Sequence, residues 1–217
     1  MSFELLSKAQ VVFWDFDGVI KESASIKSQA YEQMFSEFGN DILEKVMKHH
    51  HQNGGISREK KIPLYFKEFA GINLNAQDLE NKCHEYSKSV VQEVIDAPWI
   101  TGVLAYLTAN HHRQTFVLIT GTPLDEIKRI LRTINIIDCF KTIYGSPISK
   151  IKALEQEIQP DTDVKNCLFI GDATTDFEAA NMFKIPFLLR ETKENKNLFI
   201  NYAGPRFNDF QQLNATL

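Results

Sequence analysis

Apolar residues fall into two arrangements along this chain. The first is a set of short, nearly continuous runs, each closed by a polar turn: "VVFWDFDG" from Val11, "TFVLITGTP" from Thr115 and "NCLFIGDATTD" from Asn166, with "KTIYGSP" and "IPFLLR" as weaker examples. Runs of this length and composition read as buried strands. Because amphipathic stretches separate them, they predict a parallel sheet covered by helices on both faces. After the second run, Thr122 and Pro123 supply an N-cap and a first helical residue. Leu124, Ile127, Ile130, Leu131 and Ile134 then recur at helical spacing. After the third, "DFEAANMF" reads as another helix. The polar residues collect at the carboxyl ends of the strands, where sheets of this class bind ligands.

The second arrangement occupies the interval from about Ile20 to Ala97, which is helix-like almost throughout. "SIKSQAYEQMFSEFG", "DILEKVMKHH", "EKKIPLYFKEFA" and "AQDLENKCHEYSKSVVQEVI" are broken at Gly39, at Asn53 to Gly55 and at Gly71. That is far more chain than one crossover helix needs. The reading is an α/β protein in which residues 1–19 and 98–217 form the sheet core and residues 20–97 form an inserted helical cap. At 217 residues the chain suits such a core with one insertion.

Composition narrows the function. Lys and Arg number 24 against 28 Asp and Glu, a net charge of −4, which argues against nucleic-acid binding but leaves room for a small anionic ligand. The opening "MSFELLSKAQ" has no secretory pattern and no apolar run approaches a membrane span, so a cytoplasmic location is expected. Cys83, Cys139 and Cys167 stand at unrelated spacings and read as buried reduced thiols. An Asn-Ala-Thr triplet at Asn214 matches a glycosylation pattern that has no use without secretion.

Each strand end carries a chemically distinct group. The first offers Asp15 and Asp17, which point to one side of an extended segment, with Gly18 to let the chain turn. The second offers Thr120 and Gly121, "GSPISK" puts Lys150 at a helix start, and "GDATTD" offers Asp172 and Asp176. Phosphoryl transfer through a covalent intermediate needs such a set: a carboxylate nucleophile, an acid/base, a hard cation and donors around the phosphate. Several carboxylates in one pocket repel unless they share a cation or proton, and Mg2+, with its oxygen ligands, suits that task.

The four segments, in this order, resemble the four motifs of the haloacid dehalogenase superfamily in its phosphatase branch. "WDFDGVI" is similar to D-x-D-G-[TV], "VLITG" to the strand ending in Ser or Thr, Lys150 to the third motif and "FIGDATTD" to G-D-x-x-x-D. The resemblance, which extends to the helical-capped phosphoglycolate phosphatase and β-phosphoglucomutase relatives, implies a Rossmann-like core. It also implies roles. Asp15 would be the nucleophile, and Asp17 the acid/base that also gives its carbonyl to Mg2+. Thr120 and Gly121 would hold phosphate, Lys150 would pair with phosphate and nucleophile, and Asp172 and Asp176 would hold the metal. Lys152 is a rival for the third motif, although the "GSPxSK" context favours Lys150. A small phosphorylated metabolite is the implied substrate, of the phosphoglycolate or sugar phosphate class. A phosphosugar mutase and a catalytically silent binding relative are the alternatives, and the later Asp of "GDATTD" favours a phosphatase over a mutase.

Within the insertion, Asn53, Gly54, Gly55 and Arg58 form a turn that either reaches the site to read an anionic substrate or is a solvated connection. Glu22 and Ser23 sit at the entrance to the insertion. His49, His50 and His51, consecutive on a helix, do not share one face and read as surface residues, as do His111 and His112. Oligomeric state is not legible.

Overall fold

The computed structural model describes residues 2–211, and Asn214 lies outside them. After helix α1 (Ser2–Lys8) come strand β1 (Val11–Trp14) and then four helices in succession: α2 (Ala24–Phe35), α3 (Asn40–Gln52), α4 (Arg58–Glu68) and α5 (Ala76–Asp96). Helix α6 (Val103–Asn110) leads into β2 (Thr115–Pro123), α7 (Leu124–Thr133), β3 (Thr142–Ser146) and α8 (Lys150–Glu157). The described chain continues through β4 (Cys167–Gly171), α9 (Thr174–Met182), β5 (Phe187–Arg190) and the short β6 (Arg206–Phe207). The strands order as β3-β2-β1-β4-β5-β6, every neighbour parallel.

Both faces of this sheet are buried, which explains why its strands are apolar without alternation. Val12, Trp14, Leu118 and Ile170 face one apolar cluster, while Phe13, Val117, Ile119 and Phe169 face the other. The first cluster runs on without interruption into the helical insertion, through Tyr31, Phe35, Tyr65, Phe66, Val90 and Val94. Phe35 is at its heart, its ring 4.9 Å from Phe66 and 5.7 Å from Phe38. Among the described residues no helix is long and apolar enough to cross a membrane.

Position follows from strand order. β1 is central, with Trp14 in register with Leu118 on one side and Ile170 on the other. The chain leaving β1 at Asp15 is therefore flanked by the ends of β2 and β4, which carry Thr120 and Asp172.

Two expectations are corrected here. Thr122 and Pro123 do not start α7 as cap and first residue: β2 runs on to Pro123 and the helix begins at Leu124. The Thr122 hydroxyl is engaged instead with Asp17 and Lys27. Nor are the three consecutive histidines all at the surface. His50 is buried, because it stands one helical turn beyond the buried Val46 and shares its stripe. His51 is exposed, and His49 lies 3.1 Å from the Tyr65 hydroxyl. The three cysteines form no disulfide; Cys139 and Cys167 are buried and Cys83 is half-buried.

Truncating Phe35 to Ala should cost about 3–5 kcal/mol, the range for a large aromatic removed from a packed core. A urea titration that lowers the midpoint at unchanged slope would report it.

Candidate active site

The backbone brings the acidic groups together before any side chain is considered. The Asp15 amide donates to the Ile170 carbonyl at 3.0 Å, prolonging the β1–β4 ladder by one step. Gly18 then turns with φ +76°, and a β-carbon there would lie 2.2 Å from Asp172 Oδ2. Only glycine permits both the left-handed turn and that approach. Asp176 enters from the first turn of α9, where its Oδ2 accepts the Ala173 amide at 3.0 Å. Carboxylate oxygens of Asp15, Asp172 and Asp176 all lie within 4.8 Å of one another.

One cation compensates them. Lys150 Nζ lies 3.1 Å from Asp15 Oδ2 and also donates to Asp176 Oδ1. It is buried, as are Asp15 and Asp176. Its place is set by α8: the Ser149 hydroxyl caps the helix by accepting the Lys152 amide, so Lys150 begins the first turn beneath the strand ends. Lys152 is exposed and pairs with Glu155, away from these carboxylates. Burial pulls the Lys150 ammonium down, but Asp15 and Asp176 together outweigh that and hold it above its ordinary range. Three carboxylates still exceed one ammonium. Burial, followed by the neighbouring Asp176 charge, pushes Asp15 up to about 7 against the opposing pull of Lys150. Asp172 is raised well above the carboxylate range by desolvation and by Asp15. A hard divalent cation removes this conflict, and an all-oxygen donor set of this kind fits Mg2+.

Asp17 points away from that cluster. Its Oδ1 accepts from the Ser23 hydroxyl at 2.6 Å and its Oδ2 from Thr122 at 3.2 Å, with Lys27 Nζ 3.4 Å away. Of the two carboxylates in "DFD", one thus faces the acidic cluster and the other faces the insertion. Thr120 is buried within the later half of β2, where its Oγ1 accepts the Thr122 amide at 3.2 Å.

The turn of the insertion touches the strand ends. Gly54 O accepts the Thr175 hydroxyl at 2.7 Å, and Gly121 passes so near that a β-carbon on it would lie 2.5 Å from Gly55 O. Asn53 closes α3, its side chain donating to the His49 carbonyl at 2.9 Å. Arg58 is placed differently from a free substrate reader. It lines the cavity, but its guanidinium forks onto the Glu126 carboxylate of α7, donates to Ser87 and lies 4.6 Å from the Tyr86 ring. Glu59 accepts from Ser146 at 3.1 Å as a further tie between insertion and core. Together the two parts enclose a cavity of about 170 Å3, walled by Asp15, Asp17, Thr120, Gly121 and Asp172 on the sheet side.

Several supporting residues were not singled out from the sequence. Asn195 donates to the carbonyls of Asp172 (2.7 Å) and Arg190 (2.9 Å), fixing the loop that presents Asp172. Arg190 reaches back to Gly18 O and pairs with Glu22, steadying the turn after β1. Lys27 and Thr122 meet Asp17 from positions remote in sequence. A Lys in an amphipathic helix and a Thr at a strand end carry no local signal of such a contact.

Comparison with known proteins agrees with this geometry. Residues 12–189 match the model of the haloacid dehalogenase-like hydrolase family. A phosphorylated carbohydrates phosphatase of Thermotoga maritima is 22% identical over 145 residues, spanning 66% of this chain and 64% of that protein. A β-phosphoglucomutase of Clostridium difficile superposes with a TM-score of 0.72 at 18% identity, covering 94% of this chain and 93% of that one. A Bacillus subtilis protein of the HAD-hydrolase type, solved with magnesium and described as showing interdomain movement, gives 0.68 at 14% identity, with coverage of 97% and 99%. At such identities the structural matches speak for the fold.

The charge balance predicts stabilities in chelator. Lys150→Met should destabilise by about 3–5 kcal/mol, because it leaves buried carboxylates uncompensated. Asp15→Asn should instead raise the melting temperature. The sign with pH follows from the raised pKa of Asp15: the folded state holds a proton that the unfolded chain releases, so stability falls as pH rises from about 4 through about 7. Melts across that window should show this slope in the wild type and a flatter one in Asp15→Asn.

Proposed function

Because this chain belongs to the haloacid dehalogenase-like hydrolases, we propose that it is a phosphatase of a small phosphorylated metabolite, acting through an aspartyl-phosphate. The observation that carries this reading is the set of Asp15, Asp172 and Asp176 oxygens within 4.8 Å, with Lys150 Nζ 3.1 Å from Asp15. A magnesium-bound structure of similar fold and a curated phosphatase relative support it. Residues 20–97 act as a cap whose closure shields the site from bulk water.

Asp15 Oδ attacks phosphorus in line, and the bond from phosphorus to the substrate's ester oxygen breaks. Asp17 gives that oxygen a proton, and the alcohol departs. Asp17 then takes a proton from a water that attacks the aspartyl-phosphate, which frees Asp15 and releases inorganic phosphate. Lys150 neutralises the nucleophile's surroundings, and Thr120 with the Gly121 amide holds the phosphoryl oxygens. Asp15, the Asp17 carbonyl, Asp172 and Asp176 would hold Mg2+, which when bound supplies charge neutralisation at the transferring group. Ser23, Thr122 and Lys27 hold the Asp17 carboxylate on the leaving-group side, facing the cap. Arg58 on Glu126 latches the cap onto the core.

Phosphate release from an aryl phosphate and from a panel of phosphorylated metabolites tests the reaction. Asp15→Asn should lower turnover by roughly 10³–10⁶-fold, the scale for a lost nucleophile, while remaining folded. Asp172→Ala should raise the Mg2+ concentration needed for half-maximal activity, and excess chelator should stop the wild type. Undiminished activity in chelator would refute the metal's part. Accumulation of a phosphate-transfer product in place of inorganic phosphate would make the protein a mutase.

The latch has its own test. Arg58→Ala and Glu126→Gln should each lower kcat/KM on an aryl phosphate and on the preferred metabolite by similar factors. Combined, they should cost little more than either alone, as two halves of one contact do. A loss confined to the metabolite would return Arg58 to substrate reading.

A further inference from the structure

Three cations line the cavity: Lys27, Arg58 and Lys61. Lys27 Nζ is 3.4 Å from Asp17, and Arg58 is bidentate on Glu126. Lys61 differs. It is 2% exposed, yet no carboxylate among the described residues lies within ion-pair reach of its ammonium.

What holds Lys61 is uncharged. Its Nζ lies 3.0 Å from His50 Nδ1 and 3.4 Å from His50 O, over the Tyr31 ring at 5.8 Å. When Lys61 is charged it has donors only, so His50 Nδ1 accepts from it, and Nε2 then carries the proton that it gives to Ser28 Oγ at 3.0 Å. The chain from Lys61 through His50 to Ser28 is thus a directed set of hydrogen bonds across α4, α3 and α2. It fixes the ammonium and takes up two of its three donors. Burial draws Lys61 down to about 7, and burial together with the Lys61 charge takes His50 down to about 2. His50, Ser28 and Tyr31 line the same cavity.

Burying an ammonium against a neutral imidazole is costly, and a nonpolar side chain of the same length would fill the space without that cost. A ligand that brings a negative charge into the cavity offsets it. Lys61 belongs to α4, and its ammonium contacts none of Asp15, Asp172 and Asp176, the carboxylates that would flank the transferred phosphoryl group. Lys61 also lies one helical turn from Arg58 in the first turn of α4, where the helix dipole favours an anion.

We propose that Lys61, oriented by His50, is a specificity-determining residue that receives a second anionic group, a carboxylate or a phosphate, on the alcohol portion of the phosphate ester. This deepens the phosphatase reading and rests on it for the reaction. Preferred substrates are therefore esters with a charged tail, and neutral polyol phosphates are poor ones.

The probes are 2-phosphoglycolate (carboxylate tail), fructose 1,6-bisphosphate (phosphate tail) and glycerol phosphate (neutral tail). Wild-type kcat/KM should favour at least one charged-tail ester over glycerol phosphate, and which one wins identifies the tail. Lys61→Met should lower that value by roughly ten- to a hundred-fold, mainly through KM, as expected for a lost charge-assisted bond. The loss on glycerol phosphate should be far smaller. Lys61→Arg should restore part of the difference, and the melting temperature of Lys61→Met should rise, since a desolvated charge is gone. A wild type indifferent to the tail, or a Lys61→Met variant that loses equally on every ester, overturns the proposal. Calorimetric binding to the Asp15→Asn protein separates this from the reaction itself. If no ester is hydrolysed but charged-tail esters bind more tightly in a Lys61-dependent manner, the phosphatase reading fails and the tail site stands. Equal binding with and without Lys61 removes the site.

Discussion

The contact between the Lys150 ammonium and the carboxylates of Asp15 and Asp176 is the constraint around which the acidic edge of the sheet is arranged. Buried carboxylates at the end of a parallel sheet repel each other and are poorly solvated, and a single buried ammonium lets them coexist. Its demands reach outward. Lys150 must begin α8, so a Ser cap and the turn from β3 are needed before it. Asp176 must lie in the first turn of α9, so β4 must end at Gly171. Asp15 must leave the central strand, so that β2 and β4 bring Thr120 and Asp172 to its sides. The compensation is incomplete, and the excess negative charge is what suits the site to a divalent cation.

Division of labour between the two aspartates of "DFDG" follows from the same geometry. Asp15 continues the β1 ladder into the acidic cluster, whereas Asp17 turns to the hydroxyls of Ser23 and Thr122 and to Lys27. Two carboxylates two residues apart thus meet different surroundings, and the chain turns at Gly18 just beyond them. The insertion contributes to both sides: its glycine turn touches Thr175 and Gly121, while α2 supplies Lys27. The helical insertion and the strand ends are therefore in direct contact, and Arg58 pairs with Glu126 across them. Lys61, backed by His50, lines the cavity between them.

The four motif segments were legible in sequence because each is local. An apolar run sets a strand, a glycine sets a turn, and a carboxylate at that junction has no use in a core. Their shared destination could be inferred because parallel strands put their carboxyl ends on one edge. The separation of Lys150 from Lys152 was also local, since the Ser cap fixes which of them starts the helix. The helical character of residues 24–96 was written in the 3.6-residue recurrence of apolar positions, interrupted by glycines.

Pairings across the chain were not legible. Whether Arg58 meets a ligand or Glu126, whether Thr122 caps a helix or touches Asp17, and whether His50 is wet or buried depend on how the insertion lies on the sheet. That placement joins residues tens of positions apart through an apolar cluster whose members look alike in sequence. A histidine triplet shows three equivalent residues; packing of α3 against α2 and α4 buries one of them beside a lysine. Local patterning thus determined the elements, the sheet and the reactive groups at its edge. The tertiary structure decided partners, burial and charge compensation, because these depend on distances between segments that no single segment encodes.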